Sequence, residues 1–143
     1  MSVTAVLLPV FVQVGLTFVL LLWTARLRIQ TLREGEVKAA DIALGQKNWP
    51  EKAQQVVNAF ENQCQLPVLF YVLVVFALIT RKADLLFVIL SWLFVLARLV
   101  HVYVHVTSNR LVPRFQAFAF GAFTLMLMWI IFALRLVASE AGF

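Results

Sequence analysis

The sequence predicts an all-α integral membrane protein, an up-down bundle of four transmembrane helices. Of its 143 residues, 63% are hydrophobic and 13% are charged, whereas a soluble domain usually has about 25% charged residues. A chain this short leaves much of its surface exposed, so much of that surface has to be apolar. The apolar residues fall into four runs, with Lys and Arg at their ends. Lipid accommodates such a chain and water does not.

The four apolar runs define the expected helices, because a helix of ~20 residues crosses ~30 Å of hydrocarbon. The second run, Cys64 to Thr80, is short on its own. Its helix is expected to begin near Pro50, a residue that suits a first helical turn. We therefore expect a single domain over the whole chain. The expected helices are at about 3–25, 51–80, 83–106 and 115–138, and a polar loop is expected at about 26–50.

Positive charge predicts the orientation in the membrane. With four spans, the first and third loops lie on one side, and both termini and the second loop lie on the other. The first side carries eight Lys and Arg residues: Arg26, Arg28, Arg33, Lys38, Lys47, Lys52, Arg110 and Arg114. The other side carries three: Arg81, Lys82 and Arg135. Because cytoplasmic loops carry the excess, loops one and three are expected in the cytoplasm and both termini on the opposite side of the membrane.

Charge and cysteine content exclude several classes of protein. The net charge is +5, but the cations flank apolar runs, so no nucleic-acid partner is expected. No cleavable signal peptide is expected, because the first apolar run has no basic residue before it and is too long. Cys64 is the single cysteine, and its apolar and amide neighbours favour a structural role over a nucleophilic one.

Polar side chains inside the third span mark a candidate site, since ionisable groups in lipid are unfavourable and usually functional. His101, His105 and Asn109 follow Arg98 by three, seven and eleven residues. At about 100° per residue they fall within a strip of roughly 80° on one helix face. Tyr103 lies off this strip. The two histidines are spaced to share a metal, but no third strong ligand accompanies them, so no metal site is expected.

The second helix carries a matching polar strip, made by Asn58, Glu61, Asn62 and Gln65. The second helix runs away from the cytoplasm and the third runs back, so both strips lie in the cytoplasmic half. We expect them to face each other, because an unpaired Arg98 in hydrocarbon would cost several kcal/mol. A purely structural role as polar contacts between helices is the alternative, above all for the asparagines.

Arginines at the cytoplasmic helix ends form a candidate anion site. Arg26 and Arg28 end the first span, and Arg110 and Arg114 precede the fourth. Guanidinium groups bind carboxylates in a bidentate geometry, which suits an anionic ligand that enters from the cytoplasm. The alternative is that these residues anchor the topology and contact phospholipid.

Three short motifs carry a family resemblance. They read Ala59-x-x-Asn62-x-x-Gln65-x-Pro67 in the second helix, Ala97-Arg98-Leu99-Val100-His101 in the third, and Asn109-Arg110-Leu111-Val112-Pro113-Arg114 before the fourth. The first is similar to Ala-x-x-Asn-x-x-Glu followed by proline in the MAPEG family, the membrane-associated proteins of eicosanoid and glutathione metabolism. The second resembles the family's Arg-x-x-His or Arg-x-x-Tyr, and the third its cytoplasmic turn. The resemblance covers nearly the whole chain, with the length and long first loop also fitting.

This resemblance implies a homotrimer in membrane lipid that binds glutathione as co-substrate between neighbouring subunits. The expected reaction is conjugation of glutathione to a lipophilic electrophile, or reduction of a lipid hydroperoxide. By position, the resemblance implies that Arg114 is catalytic and stabilises the glutathione thiolate. The residues expected to bind glutathione, from the resemblance and the polar strips together, are Arg26, Asn58, Glu61, Asn62, Gln65, Arg98, His101, His105 and Arg110.

The sequence also departs from the family pattern. The family's second-helix glutamate is Gln65, and we expect Glu61 to take over its role by pairing with Arg98 or a loop arginine. A tyrosine common in the third helix is His105, and the serine after the turn arginine is Phe115. Because of these departures, a non-catalytic lipid-binding scaffold of the same fold is an alternative function. A small transporter has weaker support, because neither broken helices nor duplicated halves are expected.

Overall fold

The computed structural model describes residues 1–142 and contains five α-helices joined by short turns and one longer loop. The helices are α1 (Val3–Arg33), α2 (Glu51–Asn62), α3 (Leu66–Ile79), α4 (Leu85–Val106) and α5 (Leu111–Glu140). The loop after α1 contains a short 3₁₀ turn at Ala39–Asp41. Helices α2 and α3 together form one span, so four segments are long and apolar enough to cross a membrane, at 3–33, 51–79, 85–106 and 111–140. The all-α, four-span prediction is confirmed.

Two helices extend beyond their expected ends into polar sequence. Helix α1 continues to Arg33 rather than to about residue 25, because the residues that follow are good helix formers. It ends where Gly35 takes a φ of 74°, a conformation that glycine adopts without strain. Helix α5 begins at Leu111 rather than at about residue 115. Pro113 lies in its first turn, where a missing N–H costs nothing.

The second span is not the continuous helix that was expected, because it breaks at 63–65. Pro67 causes the break, since its ring lacks an N–H and clashes with the carbonyl of Gln63. The carbonyl of Ala59 loses its helical partner and accepts instead from the side-chain Nε2 of Gln63, at 2.9 Å. The expectation that no helix is broken was therefore wrong. The break is tolerated at membrane depth because protein side chains satisfy it.

A buried amide pair ties α1 to this break. Gln13 Nε2 donates to Gln63 Oε1 at 2.9 Å, and the two side chains are 0% and 2% exposed. Burying two amides in an apolar environment is unfavourable unless they bond to each other. This pair therefore fixes α1 against the second span in depth and rotation.

Helix α4 lies at the centre of the bundle and is the most buried of the four spans. Helix α5 packs closely on α4 at Gly121, where an added Cβ would lie at ordinary contact distance, 3.4 Å, from the Cβ of Ala97. A smaller apolar cluster packs between α1, α2 and α4. The larger apolar cluster fills the other half of the bundle, where the rings of Phe70 and Phe94 lie 4.9 Å apart. At that end Arg135 Nη1 lies 2.7 Å from Asp84 Oδ2. We call the opposite end, which holds residues 34–50 and the α4–α5 turn, the loop end.

Candidate functional site

A cavity of about 390 Å³ opens between α2, α4 and α5 at the loop end. Its lining contains seven of the ten predicted site residues together with three apolar side chains. The lining residues are Asn58, Glu61, Asn62, Gln65, His101, His105, Leu111, Arg114, Phe115 and Phe118. The structure thus brings the two polar strips together across one space. We refer to this space as the polar cavity.

Arg98 lies behind the wall of the polar cavity and is 0% exposed. Its Nη2 donates to Asn62 Oδ1 at 2.6 Å and, at 3.4 Å, to the Asn62 carbonyl. Its Nε and Nη1 are buried and have no hydrogen-bond partner. No ion pair within residues 1–142 involves Arg98. A buried cation here is therefore only partly compensated by the protein.

The expected pair between Glu61 and Arg98 does not form in the structure. Neighbouring residues on a helix point about 100° apart, and it is Asn62 that points towards α4. Glu61 is exposed and forms no ion pair within residues 1–142. It lines the polar cavity on one side and a groove between α1 and α2 on the other. Its carboxylate is therefore available to a ligand.

The two histidines of α4 are stacked along the wall of the polar cavity. His101 and His105 are 3% and 7% exposed, their ring centroids are 5.4 Å apart, and the rings meet edge to face. The ring of Phe118 lies 5.8 Å from that of His101. Neither histidine has a partner for its buried Nδ1. No group of three or more His, Cys, Asp and Glu side chains arranged for a metal occurs in residues 1–142.

The end of α4 is held in place from α2. Gln55 Nε2 donates to the carbonyl of His105 at 2.6 Å, and Lys52 Nζ donates to the carbonyl of Val106. These carbonyls belong to the last turn of a helix, which has no intrahelical partners for them. The contacts fix the depth of His105 relative to the α2 strip.

Arg114 reaches the polar cavity from the first turn of α5. Its Nη1 donates to Asn109 Oδ1 at 2.6 Å. Asn109 has a φ of 51°, a left-handed conformation that asparagine tolerates better than most residues. Asn109 was predicted on the strip of the third span, but it is exposed in the turn, where it orients Arg114 instead.

Arg26 and Arg110 do not line the polar cavity. Both are exposed, Arg26 on α1 and Arg110 at the residue before α5. Arg28 lies closer, at the groove of about 370 Å³ between α1 and α2, where its guanidinium carbon is 5.0 Å from the ring centre of Trp49. Sequence reasoning missed Trp49, although an aromatic residue beside a basic one at a span end is typical of the membrane interface.

Apolar lining residues were also missed. Leu111 and Phe118 line the polar cavity. Phe118 lies in a long apolar stretch where nothing distinguishes a lining side chain from a lipid-facing one, and Leu111 lies in the expected turn before the fourth span, between Arg110 and Arg114. Their presence gives the cavity an apolar side towards α5 and a polar side towards α2.

The fold and the polar cavity define a class of protein: a four-span membrane protein with a polar cavity between its helices at the loop end. A model of the MAPEG family matches residues 6–134. The chain therefore belongs to that family, which places it among the membrane proteins of eicosanoid and glutathione metabolism. Comparison with curated proteins and with solved structures gave no match.

Proposed function

We propose that the protein binds glutathione in the polar cavity and uses its thiol against a lipophilic electrophile or a lipid hydroperoxide. The observation that carries this proposal is the buried guanidinium of Arg98, which has two nitrogens without a partner and lies behind the wall of a cavity that Arg114 lines. A buried charge at membrane depth is kept where it has a functional partner. Glutathione supplies two carboxylates, which are the groups that arginine binds best.

The remaining polar side chains suit the rest of the ligand. The exposed carboxylate of Glu61 can receive the ammonium of glutathione, and the amides of Asn58 and Gln65 offer both donors and acceptors. The site thus offers cations for the carboxylates and an anion for the ammonium. This arrangement assigns to Glu61 a ligand role in place of the ion pair with Arg98.

Arg114 is the residue we assign to thiol activation. A thiol becomes a nucleophile when a nearby cation stabilises its thiolate. In conjugation, the sulfur forms a bond to the electrophilic carbon and the leaving group departs with its electron pair. In peroxide reduction, the sulfur attacks the terminal peroxide oxygen, the O–O bond breaks, and the lipid oxygen leaves as an alkoxide that is protonated to the alcohol. The thiol of a second glutathione then displaces water from the oxidised sulfur and forms the disulfide. The lipophilic reactant enters from the bilayer beside Leu111, Phe115 and Phe118.

The proposal includes a homotrimer with the loop end in the cytoplasm, where glutathione is available. Arg26 and Arg110 are exposed and lie away from the cavity of their own subunit. In a trimer they are available to the site of a neighbouring subunit. The exposure of Glu61, Leu111 and Phe115 at the cavity supports a site that a neighbour completes.

The test is calorimetry of glutathione binding in detergent, followed by turnover with an aryl halide and with an organic hydroperoxide. Arg114→Ala is expected to lower turnover by about 10²-fold or more while the oligomer stays intact. Arg33→Ala is the matched control, since Arg33 is an exposed arginine at the same end that lines no part of the polar cavity. Full turnover by Arg114→Ala would reject its role, and no glutathione binding by the natural protein would reject the function.

A second candidate is a scaffold that binds lipid and presents it to a partner. The observation that favours it is that, among residues 1–142, no hydroxyl side chain lines the polar cavity, so a hydroxyl donor to a thiolate is missing there. Lipid binding without glutathione binding would support the scaffold. If the protein binds neither lipid nor glutathione, a small transporter becomes the favoured alternative.

A further inference from the structure

A glutathione thiol that reacts in the polar cavity has to lose its proton, either to solvent or to a side chain of the lining. A guanidinium stabilises a thiolate but does not accept a proton, and side-chain amides are not bases at neutral pH. Arginine and the amide side chains of the lining are therefore excluded as acceptors of the thiol proton. The lining residues that can accept a proton are Glu61, His101 and His105.

The two histidines differ from Glu61 in their surroundings. Both rings are buried, whereas Glu61 is exposed and lines the α1–α2 groove as well. A neutral imidazole has one donor and one acceptor nitrogen. Since the Nδ1 of each ring is buried without a partner, the Nε2 is the nitrogen that can reach a ligand in the cavity.

His105 is the histidine at the depth of Arg114. It lies in the last turn of α4, and Arg114 lies in the first turn of α5 after a short connection. His101 is one turn deeper, beside Phe118. A thiol bound at Arg114 therefore lies nearer to His105 than to His101.

We propose that His105 is the base that accepts the thiol proton of glutathione, a step that rests on the proposed function above. The S–H bond breaks, the proton forms an N–H bond on Nε2 of His105, and the electron pair stays on sulfur beside Arg114. When the sulfur attacks the electrophile, a C–S bond forms and the leaving group departs with its electron pair. The imidazolium of His105 then gives its proton to the leaving group where that group is an alkoxide, and to water where it is a halide. General base catalysis replaces the hydroxyl donor that the cavity lacks.

The charges around His105 come from three helices. Glu61 faces it from α2, Arg98 and His101 lie on α4, and Arg114 faces it from α5. Lys52 bonds to the carbonyl of the next residue, Val106. The cations Arg98 and Arg114 disfavour a second positive charge on His105, so its imidazolium forms only beside the thiolate, whose negative charge the same cations stabilise.

The experiment follows the proton directly. Glutathione binding is measured by calorimetry in two buffers of different ionisation enthalpy, with ultraviolet absorbance to report the bound thiolate. S-methylglutathione, which has no thiol proton, serves as the binding control. The variants are His105→Gln, His105→Phe, which keeps an aromatic ring in place if the first fails to fold, and the matched His101→Gln.

The natural protein is expected to form bound thiolate without releasing a proton to the buffer, because His105 keeps it. In both His105 variants the bound thiolate falls, or its proton appears in the buffer, and turnover drops by about 10²-fold. Affinity for S-methylglutathione falls by much less than turnover in these variants. In His101→Gln any loss of affinity is the same for glutathione and S-methylglutathione, and the thiolate fraction of bound glutathione stays at the natural value.

Several results would overturn the inference. Release of a full proton by the natural protein would exclude an internal base, whatever the variants do. Unchanged proton release and turnover in the His105 variants would leave the proposed function standing and remove His105 from it. A parallel loss of S-methylglutathione affinity would show a binding role only. Failure of the natural protein to bind glutathione would reject both the function and this step.

Discussion

The guanidinium of Arg98 and the side chain of Asn62 are joined by a 2.6 Å hydrogen bond that links α4 to the last residue of α2. Arg98 is 0% exposed, and the same guanidinium makes a longer contact of 3.4 Å with the Asn62 carbonyl. Asn62 also lines the polar cavity. One bond therefore connects the most buried charge, the break in the second span and the candidate site.

Removing the acceptor should destabilise the protein. Asn62→Leu is expected to lower the free energy of unfolding by roughly 1–3 kcal/mol, because Arg98 loses its main partner and stays buried. Reversible unfolding in mixed micelles measures this change. The double variant Asn62→Leu, Arg98→Met is the control, since it removes the stranded charge. The two changes should not be additive, and strict additivity would show that the bond contributes nothing.

The amide pair between α1 and the break should also stabilise the bundle. Gln63→Leu leaves Nε2 of Gln13 and the carbonyl of Ala59 without partners, which costs about 1–3 kcal/mol of unfolding free energy. Gln116→Leu is the matched control, because Gln116 is exposed on α5 and its change should stay within about 0.5 kcal/mol. Equal stabilities of the two variants would contradict the buried role of the pair.

The ion pair at the far end predicts a pH dependence of stability. The Arg135 guanidinium, which bonds to Asp84, lowers the pKa of that carboxyl below its usual value, and the Phe87 N–H adds to the effect. The stabilisation is therefore present above the pKa of the unfolded state and is lost as pH falls through the lower folded pKa. Its size is about 0.2–1 kcal/mol, because both side chains are partly exposed.

Asp84→Asn tests this dependence without removing the helix cap, since asparagine caps as well as aspartate. The natural protein should be more stable than Asp84→Asn at neutral pH, and the difference should vanish in acid. Unfolding curves of both proteins across that range measure it. A difference that persists below the folded pKa would show that the carboxylate charge is not its source.

Composition predicted the four spans because apolar content alone decides whether a helix enters lipid. The same signal failed at the helix ends. Helix α1 continues to Arg33 and helix α5 begins at Leu111, both outside the apolar runs. Residues that continue a helix beyond lipid need not be apolar, so apolar content does not predict them. The break in the second span has a different reason. Pro67 lies in an apolar run, and apolar content does not register that a proline ring clashes with the preceding helical turn.

The candidate site was predicted to the level of helix faces and no further. Spacing placed Glu61 and Asn62 on one strip, and Glu61 was the expected partner of Arg98 or a loop arginine. About 100° of rotation separates them, and only the packing of α2 against α4 decides which one faces the guanidinium. The amide pair of Gln13 and Gln63 was also beyond reach, because its members are 50 residues apart and neither one is charged.

Glu61 offers a prediction that separates ligand binding from stability. It forms no ion pair in residues 1–142 and is exposed, so Glu61→Gln should leave the free energy of unfolding within about 0.5 kcal/mol of the natural value. If its carboxylate receives the ammonium of glutathione, affinity should fall by about 10-fold or more, the scale of a lost charged hydrogen bond. Calorimetry and unfolding on the same preparation measure both quantities.

Glu51→Gln is the matched control, because Glu51 is an exposed glutamate at the start of the same helix and lies outside the polar cavity. A loss of stability without a loss of affinity would support the originally expected ion pair of Glu61 with an arginine. It would also show that Glu61 does not bind glutathione.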